Sequence, residues 1–296
     1  MFACAHNGYP LAMTTESTTP GTYDFTDRDI ERDLAFAIEI ARFAGQRVLG
    51  LRDTGRWEGG MLADIGDQAA DGYLQGVIQG RYPDDGILSE ETVDTPERLA
   101  KRRTWIIDPL DGTKEFSQLR DDWGVHVALS FDNKCALGVV YLPTQDMLIW
   151  GVALEGRERA GIEGTGTLVD AQTDMMEKPR VAVSRSHTPP WVETFAKEVG
   201  AGELIPYGGA GNKTCRLLTG QGDIYVHNIG LKEWDTCAPE TIARALGWHV
   251  CKLRGEEHRY NQQDPVNHEL VICRPAVAEK VVETLASCGA LEDHRS

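Results

Sequence analysis

The segment WIIDPLDGTKEF, residues 105–116, constrains the fold of this chain more than any other stretch. Apolar and aromatic residues end at Asp108, a proline-set turn follows, and Asp111 comes three residues later. Two carboxylates that face one another without a cation repel, and one of them must take up a proton. A divalent ion removes the repulsion, and ligands that are all oxygen suit Mg²⁺ or Mn²⁺. The segment therefore predicts a buried strand that ends in a metal site, with an ordinary β-turn as the alternative.

Gly112 and Thr113 follow this acid pair and begin a predicted helical turn. The first backbone N–H groups of such a turn would face an anion. A phosphate group between the metal and the turn is the anion that this pattern predicts.

Two further acidic stretches stand at the ends of predicted elements. Glu90 and Glu91 close a short apolar strand, and Asp235 stands at a predicted helix start. The alternatives are a solvated strand end for the glutamates and a helix N-cap for Asp235. Three acidic stretches, each at an element boundary after apolar residues, match a multi-metal site assembled from distant parts of the chain.

Composition limits the classes of partner. The net charge of −16 predicts a surface that repels nucleic acid and anionic membranes, so an anionic ligand needs a local attraction. No apolar run approaches the roughly 18 residues that a membrane span requires. The seven cysteines are scattered without a CxxC pair, which predicts buried free thiols and a reducing, cytoplasmic location.

Periodicity predicts two unlike halves joined by a connector. Residues 1–25 are predicted to be a loose N-terminal tail, 26–178 a half of helices and an antiparallel meander, and 179–296 a half in which strands and helices alternate. The predicted helices are 27–49, 67–80, 189–199, one after 211, 235–246 and 275–287. The predicted strands are 87–91, 103–108, 124–131, 135–142, 146–153, 180–184, 204–207, 222–228, 248–253 and 269–274.

Taken together, LSEE, WIIDPLDGTKEF and EWDTCAPETI, in this order and at these separations, resemble the inositol monophosphatase family of metal-dependent, lithium-sensitive phosphatases. The resemblance covers about residues 30–287 and implies a layered αβαβα sandwich with the site between the halves. Within the family, GTKEF, SRSH (184–187) and RYNQQDP (259–265) resemble the CysQ-type 3′-phosphoadenosine 5′-phosphate phosphatases. The implied reaction is hydrolysis of the 3′-phosphate to give AMP and phosphate, as part of sulfate assimilation.

The resemblance implies a ligand set position by position. Glu90, Asp108 and the carbonyl of Leu110 would hold one Mg²⁺, and Asp108, Asp111 and Asp235 would hold a second. Glu90 would also touch a weaker third ion, and Mn²⁺ is a possible substitute.

The resemblance also implies the catalytic groups. Asp67 would pair with Thr113 to orient and deprotonate the attacking water, and the N–H groups of Gly112 and Thr113 would bind the scissile phosphate. Many relatives carry a lysine before the aspartate that corresponds to Asp67, whereas this chain reads GRWEGGMLADIGDQ there. That departure leaves the loop above the site, and the third ion, open.

A substrate with a second phosphate needs cations or N–H groups away from the metals. Gly211 and Lys213, in GGAGNK, are predicted to hold the 5′-phosphate or the ribose, with a solvated helix start as the alternative. Ser184, Arg185 and His187 follow a strand, and in CysQ relatives this segment lies near the nucleotide. The alternative for His187 is a loop histidine that caps the next helix.

Other functions and roles stay open on the sequence alone. Inositol-1-phosphate and fructose-1,6-bisphosphate are alternative substrates. A non-catalytic nucleotide- or metal-binding regulator is a less favoured class, because a binder has no need of the Asp67–Thr113 pair. His126 is predicted to be a packed strand residue rather than a catalyst. The predicted partner is a phosphorylated small molecule, and a homodimer is possible.

Overall fold

A computed structural model describes residues 25–172, 177–186 and 188–291. The predicted tail up to residue 24 and His187 lie outside the described residues. Phe25, the last residue of that predicted tail, is buried, and its ring stacks on Phe131 with centroids 5.1 Å apart. Phe25 therefore belongs to the core.

Seven α-helices and eleven strands make up the described part of the chain. The helices are α1 (Asp27–Asp53), α2 (Gly59–Arg81), α3 (Thr113–Ser117), α4 (Trp191–Val199), α5 (Ala210–Leu218), α6 (Glu233–Ala245) and α7 (Ala278–Ser287). The strands are β1 (Gly86–Ser89), β2 (Arg103–Asp111), β3 (Gly124–Phe131), β4 (Lys134–Leu142), β5 (Met147–Val152), β6 (Arg159–Gly164), β7 (Arg180–Ser184), β8 (Glu203–Tyr207), β9 (Ile224–Lys232), β10 (His249–Cys251) and β11 (Val266–Cys273).

The strands form two sheets. The first has the order β1-β2-β3-β4-β5-β6, in which β1 is parallel to β2 and every other pair is antiparallel. The second has the order β10-β11-β9-β7-β8, in which β9, β7 and β8 are parallel and β11 is antiparallel to both neighbours. The sequence-predicted meander is therefore the centre of the first sheet.

Helices cover both faces of each sheet. Helices α1 and α2 pack on one face of the first sheet, and α5 and α6 lie between the two sheets. Helices α4 and α7 cover the far face of the second sheet. Three apolar clusters fill the spaces between these five layers, and the middle cluster packs α5 and α6 against both sheets. This arrangement confirms the predicted αβαβα sandwich.

Helix α1 begins where its capping residues predict. The Thr26 hydroxyl accepts the Asp29 N–H at 3.2 Å, and the Asp29 carboxylate accepts the Thr26 N–H at 3.3 Å. This reciprocal pair satisfies two N–H groups that the first helical turn leaves free. The buried stripe that includes Ile30, Leu34 and Val48 then packs on the first sheet.

Helix α2 begins at Gly59, well before the predicted start at Asp67. Its buried stripe already starts at Leu62 and continues through Gly66, where an added Cβ would lie 2.9 Å from the ring of Phe116. Tertiary packing therefore outweighs the glycine-rich composition that suggested a loop. As a result Asp67 lies within the helix, between the buried residues Gly66 and Ala70.

Strand β6 was not predicted, because residues after 163 resembled a connector and the preceding stretch shows little alternation. The strand pairs with β5 at the edge of the first sheet, and none of its residues is buried. An edge strand with two partly solvated faces carries little hydrophobic periodicity. Strand β6 is defined by its backbone hydrogen bonds to β5, and amino-acid composition does not predict those bonds.

Candidate metal centre

A bulge in β2 brings two aspartates to one side of the first sheet. Asp108 pairs with His126 on β3 and Asp111 pairs with Gly124, so three steps on β2 match two on β3. Residues three apart on a regular strand would face opposite sides, and one extra residue restores a common side. Carboxylate oxygens of Asp108, Asp111 and Asp235 lie within 4.8 Å of one another.

Asp235 reaches this point from the helix layer between the sheets. Helix α6 begins at Glu233, two residues before its predicted start, so Asp235 is the third residue of the helix rather than its N-cap. Its Oδ2 accepts the Lys232 N–H at 2.6 Å, which fixes the carboxylate at the helix start. The distant segments singled out in the sequence thus meet in space.

The electrostatics of the cluster favour a cation. Burial, then the charges of Glu90, Asp111 and Asp235, raise the pKa of Asp108 well above its usual value. Burial and the Asp111 charge raise the pKa of Asp235 to about 6. Partial desolvation and the Asp235 charge raise the pKa of Glu90 to about 7, although solvent reaches this side chain. Crowded carboxylates whose donors are all oxygen fit a hard divalent ion.

Asp111 differs from its neighbours because hydrogen-bond donors surround it. Its Oδ1 accepts the Ala210 N–H at 2.9 Å, and its Oδ2 accepts the Gly211 N–H at 2.8 Å. The His126 Nε2 lies 3.2 Å from the same Oδ2. Burial alone would raise the pKa of Asp111, but the charge and hydrogen bond of His126 lead the effects that hold it below its usual value.

His126 is packed, as its strand position predicted, but it also contacts the acid cluster, which consists of Glu90, Asp108, Asp111 and Asp235. The ring is fully buried, and its Nδ1 lies 3.1 Å from the carbonyl oxygen of Trp234. Sequence reasoning did not assign it to the site. Only the β2–β3 register places His126 opposite Asp108, and that register depends on a bulge that the sequence does not announce.

The two predicted catalytic residues, Asp67 and Thr113, are not hydrogen-bonded to each other in the described part of the chain. Asp67 is buried, and its Oδ1 has no hydrogen-bond partner among the described residues. Burial, followed by the charges of Glu91 and Glu90, raises the pKa of Asp67 to about 8. The Thr113 hydroxyl instead donates to the Leu110 carbonyl at 3.0 Å.

The Gly112–Thr113 step forms a tight turn between β2 and α3. Gly112 adopts a left-handed conformation, with φ of +86°, at the start of α3. An added Cβ there would lie 3.1 Å from the Asp122 carbonyl oxygen, so both space and conformation favour glycine. Leu110 donates its N–H to Asp108 Oδ1 at 3.0 Å, which holds the turn between the two aspartates.

Lys213 is almost completely buried, with 4% of its surface exposed. Desolvation lowers the pKa of its ammonium group, and the charges of Asp111, Glu115 and Asp235 oppose that effect. Its Nζ lies 5.2 Å from the centroid of the Tyr225 ring. Lys213 is thus a buried ammonium group whose charge interacts with Asp111 and Asp235.

The other predicted substrate residues lie at the carboxyl end of β7 and at the start of α5. Ser184 ends β7. Arg185 forms an ion pair with Asp122 and lies 3.9 Å from Glu115 Oε1. Asp122 is itself buried. The Gly211 N–H is already donated to Asp111, so this donor is not available to a phosphate.

Comparison with known proteins agrees with this geometry. Residues 29–290 match the sequence model of the inositol monophosphatase family. A 3′-phosphoadenosine 5′-phosphate phosphatase of Mycobacterium leprae (strain TN) is 35% identical over 252 residues, which are 83% of this chain and 90% of that protein. The 3′(2′),5′-bisphosphate nucleotidase CysQ of Salmonella typhimurium is 30% identical over 233 residues, 76% of this chain and 93% of that protein.

A solved structure gives the same fold. The crystal structure of CysQ from Bacteroides thetaiotaomicron, described as a bacterial member of the inositol monophosphatase family, matches with a TM-score of 0.73 at 26% identity. The match covers 84% of this chain and 99% of that one. No helix in the described ranges is both long enough and apolar enough to cross a membrane. The chain belongs to the inositol monophosphatase family of metal-dependent phosphatases.

Proposed function

We propose that this enzyme hydrolyses the 3′-phosphate of 3′-phosphoadenosine 5′-phosphate in a Mg²⁺-dependent reaction, giving AMP and phosphate. The observation that carries the choice of substrate is Lys213, a buried ammonium group beside the acid cluster. A substrate with a second phosphate gives this cation a partner, whereas a monophosphate would engage only the metal side. The names of the Mycobacterium and Salmonella relatives support the same substrate.

The acid cluster supplies the metal ligands in this proposal. Glu90, Asp108 and the Leu110 carbonyl hold one ion, and Asp108, Asp111 and Asp235 hold the second. When bound, Mg²⁺ neutralises phosphate charge, lowers the pKa of the attacking water and supports the leaving oxygen. A third, weaker ion would contact Glu90, and Mn²⁺ would substitute because it accepts the same oxygen ligands.

The chain's own groups orient the water and the phosphate. The Oδ1 atom of Asp67 has no hydrogen-bond partner among the described residues and can accept a hydrogen bond from a water molecule. The Thr113 hydroxyl links Asp67 to that water when the hydroxyl rotates away from the Leu110 carbonyl. The N–H groups of Gly112 and Thr113, at the open end of α3, bind oxygens of the scissile phosphate. Proton transfer through a positioned side chain then lowers the barrier.

The substrate's distal part binds the second half of the chain. Lys213 binds the 5′-phosphate or ribose, with Ser184, Arg185 and His187 beside the nucleotide. Arg185 is held between Asp122 and Glu115, so its guanidinium group is oriented before the substrate arrives. Gly211 contributes by close approach rather than by its N–H. The halves 26–178 and 179–296 thus share the site, in a cytoplasmic protein that forms a monomer or a homodimer.

A phosphate-release panel tests the proposal. We expect release from 3′-phosphoadenosine 5′-phosphate in Mg²⁺, little release from inositol-1-phosphate or fructose-1,6-bisphosphate, and inhibition by Li⁺. Full turnover in excess EDTA would contradict metal dependence. Preference for inositol-1-phosphate would overturn the substrate, and binding without release from any of the three would favour the regulator. The Lys213→Met variant should raise KM for the bisphosphate and leave slow release from inositol-1-phosphate unchanged.

A further inference from the structure

His126 joins metal-ligand candidates that come from different layers of the fold. Asp111 lies on β2 in the first sheet, and Asp235 lies at the start of α6 between the sheets. One imidazole ring contacts the Asp111 carboxylate through Nε2, at 3.2 Å, and the Trp234 carbonyl through Nδ1, at 3.1 Å. Trp234 directly precedes Asp235, so the ring lies between the segments that carry the two carboxylates.

The donors around Asp111 distinguish its two oxygens. Oδ2 accepts the Gly211 N–H and lies 3.2 Å from His126 Nε2, a charged contact that lacks hydrogen-bond geometry, whereas Oδ1 accepts one N–H from Ala210. A carboxylate has about four lone-pair sites, two on each oxygen. The Gly211 N–H and the His126 ring both lie on the Oδ2 side of the carboxylate, so Oδ1 has fewer neighbours and keeps a lone pair for a cation.

We propose that His126 is a positioning residue for the metal centre, which holds Asp111 through Oδ2 so that Oδ1 faces the ion. The proposal rests on the metal-binding part of the proposed function and is independent of the substrate. Groups that orient a metal-ligating carboxylate commonly change metal affinity by about 10–100-fold when they are removed. His126 would act through Asp111 and touch no reacting atom.

The start of α5 is shaped to admit the ring. An added Cβ at Gly211 would lie 2.1 Å from His126 Nε2, and one at Gly209 would lie 2.6 Å from Asp111 Oδ2. Glycine at both positions lets the helix start, the carboxylate and the imidazole meet in one place. Packing alone would not require two N–H groups and a ring nitrogen to converge on one carboxylate.

A second buried histidine provides a matched control. His258 Nδ1 lies 2.7 Å from Glu240 Oε2, and its Nε2 lies 2.8 Å from the Glu269 carbonyl oxygen. This is the same pattern of one carboxylate and one carbonyl, around a carboxylate outside the acid cluster. His258→Leu should therefore lower stability, as His126→Leu should, without changing metal affinity.

The experiment measures Mn²⁺ binding by calorimetry and melting temperature in EDTA for the full chain. We expect His126→Leu to weaken Mn²⁺ binding by about 10-fold or more. His126→Gln should recover most of the affinity, because its amide nitrogen replaces Nε2 opposite Asp111. His258→Leu should keep wild-type affinity while its melting temperature falls.

Each alternative result is decisive. Wild-type affinity in His126→Leu, equal weakening in the Leu and Gln variants, or equal weakening in His258→Leu would overturn the positioning role. A wild-type chain that binds no Mn²⁺ would instead refute the metal centre itself, together with this proposal. If His126→Leu does not fold, His126→Asn replaces it, because asparagine reaches the Trp234 carbonyl but not Asp111. Equal Mn²⁺ affinity in the Asn and Gln variants would then overturn the proposal.

Discussion

Asp108 and Asp111 stand three residues apart and lie in one cluster, yet their pKa values shift in opposite directions. The pKa of Asp108 is raised, because burial and carboxylates dominate around it, and one N–H from Leu110 only partly offsets them. Asp111 is equally enclosed, but two N–H groups and a ring nitrogen converge on it and hold its pKa low. The partners, not the depth, decide which aspartate carries its charge at neutral pH without metal.

This difference predicts opposite effects of two amide substitutions on the metal-free protein. Asp108→Asn replaces a carboxyl group that must take up a proton when the chain folds beside Glu90 and Asp235, and its amide keeps the oxygen that accepts the Leu110 N–H. An increase of about 1 kcal/mol in the free energy of unfolding would raise the melting temperature in EDTA by about 2 °C or more. Turnover should be lost, because a ligand of both ions is gone. Calorimetry in EDTA and a phosphate-release assay check both effects.

Asp111→Asn is the matched comparison. Its amide group would face N–H donors from Ala210, Gly211 or His126, so at least one donor loses its acceptor. An unsatisfied buried donor costs about 1–3 kcal/mol, so the melting temperature in EDTA should fall. A rise for Asp111→Asn, or a fall for Asp108→Asn, would contradict the charge assignment.

Thr113 and Asp67 are predicted to act as one unit. Thr113→Ala should lower kcat by about 100-fold, because the hydroxyl that links Asp67 to the water is lost while the backbone N–H remains. Thr113→Ser keeps the hydroxyl and should retain most activity. Asp67→Asn should match the alanine variant, and the double variant should be little worse. Additive losses in log kcat would show that the residues act independently.

Among the elements, helix α6 places Asp235 beside the aspartates of the first sheet. This helix lies directly on glycines of the first sheet: a Cβ at Gly138 would be 2.8 Å from Ala238 Cα, and one at Gly151 would be 2.8 Å from Ile242 Cα. The close approach brings Asp235 down to the bulged end of β2. The helix therefore depends on glycines in two strands that are otherwise mostly apolar.

Gly138→Ala should destabilise the protein. An added methyl group has no space against the α6 backbone, and overpacking of this kind costs about 1–3 kcal/mol. Gly76→Ala is the control, since Gly76 is exposed in the interior of α2 and an added Cβ meets no atom within 4 Å. That variant should gain about 0.5–1 kcal/mol from helix propensity. Equal melting temperatures for the two variants would contradict the close packing of α6.

At the scale of the whole molecule, the sequence predicts the layers better than the contacts within them. Apolar periodicity and the order of strands and helices predicted two unlike halves and the antiparallel meander, and the family resemblance implied the αβαβα sandwich. The true start of α2 and the edge strand β6 were not predictable, because packing and pairing define them. In the site, acids at element ends were visible in the sequence. The contact of His126 with Asp111 was not, since it depends on the bulge and on the start of α5.

The folded state without metal should lose stability as pH rises. The pKa values of Asp235, Glu90 and Asp67 are raised to about 6, 7 and 8, whereas the same groups in the unfolded chain titrate near pH 4. Between these limits the folded state binds more protons than the unfolded state, so these carboxyls lower the free energy of unfolding with increasing pH.

Bound Mg²⁺ should offset that loss, because it takes the place of the protons. We therefore expect Mg²⁺ to raise the melting temperature much more at about pH 8 than at about pH 5.5, with KCl of equal ionic strength as the reference. The difference between the melting temperatures in Mg²⁺ and in EDTA, taken at each pH, cancels the contribution of titrating groups elsewhere in the protein. Asp108→Asn should abolish the Mg²⁺ effect at both pH values. A stabilisation by Mg²⁺ that is the same at both would mean that the cluster carries no protons without metal, and the electrostatic account of the site would fail.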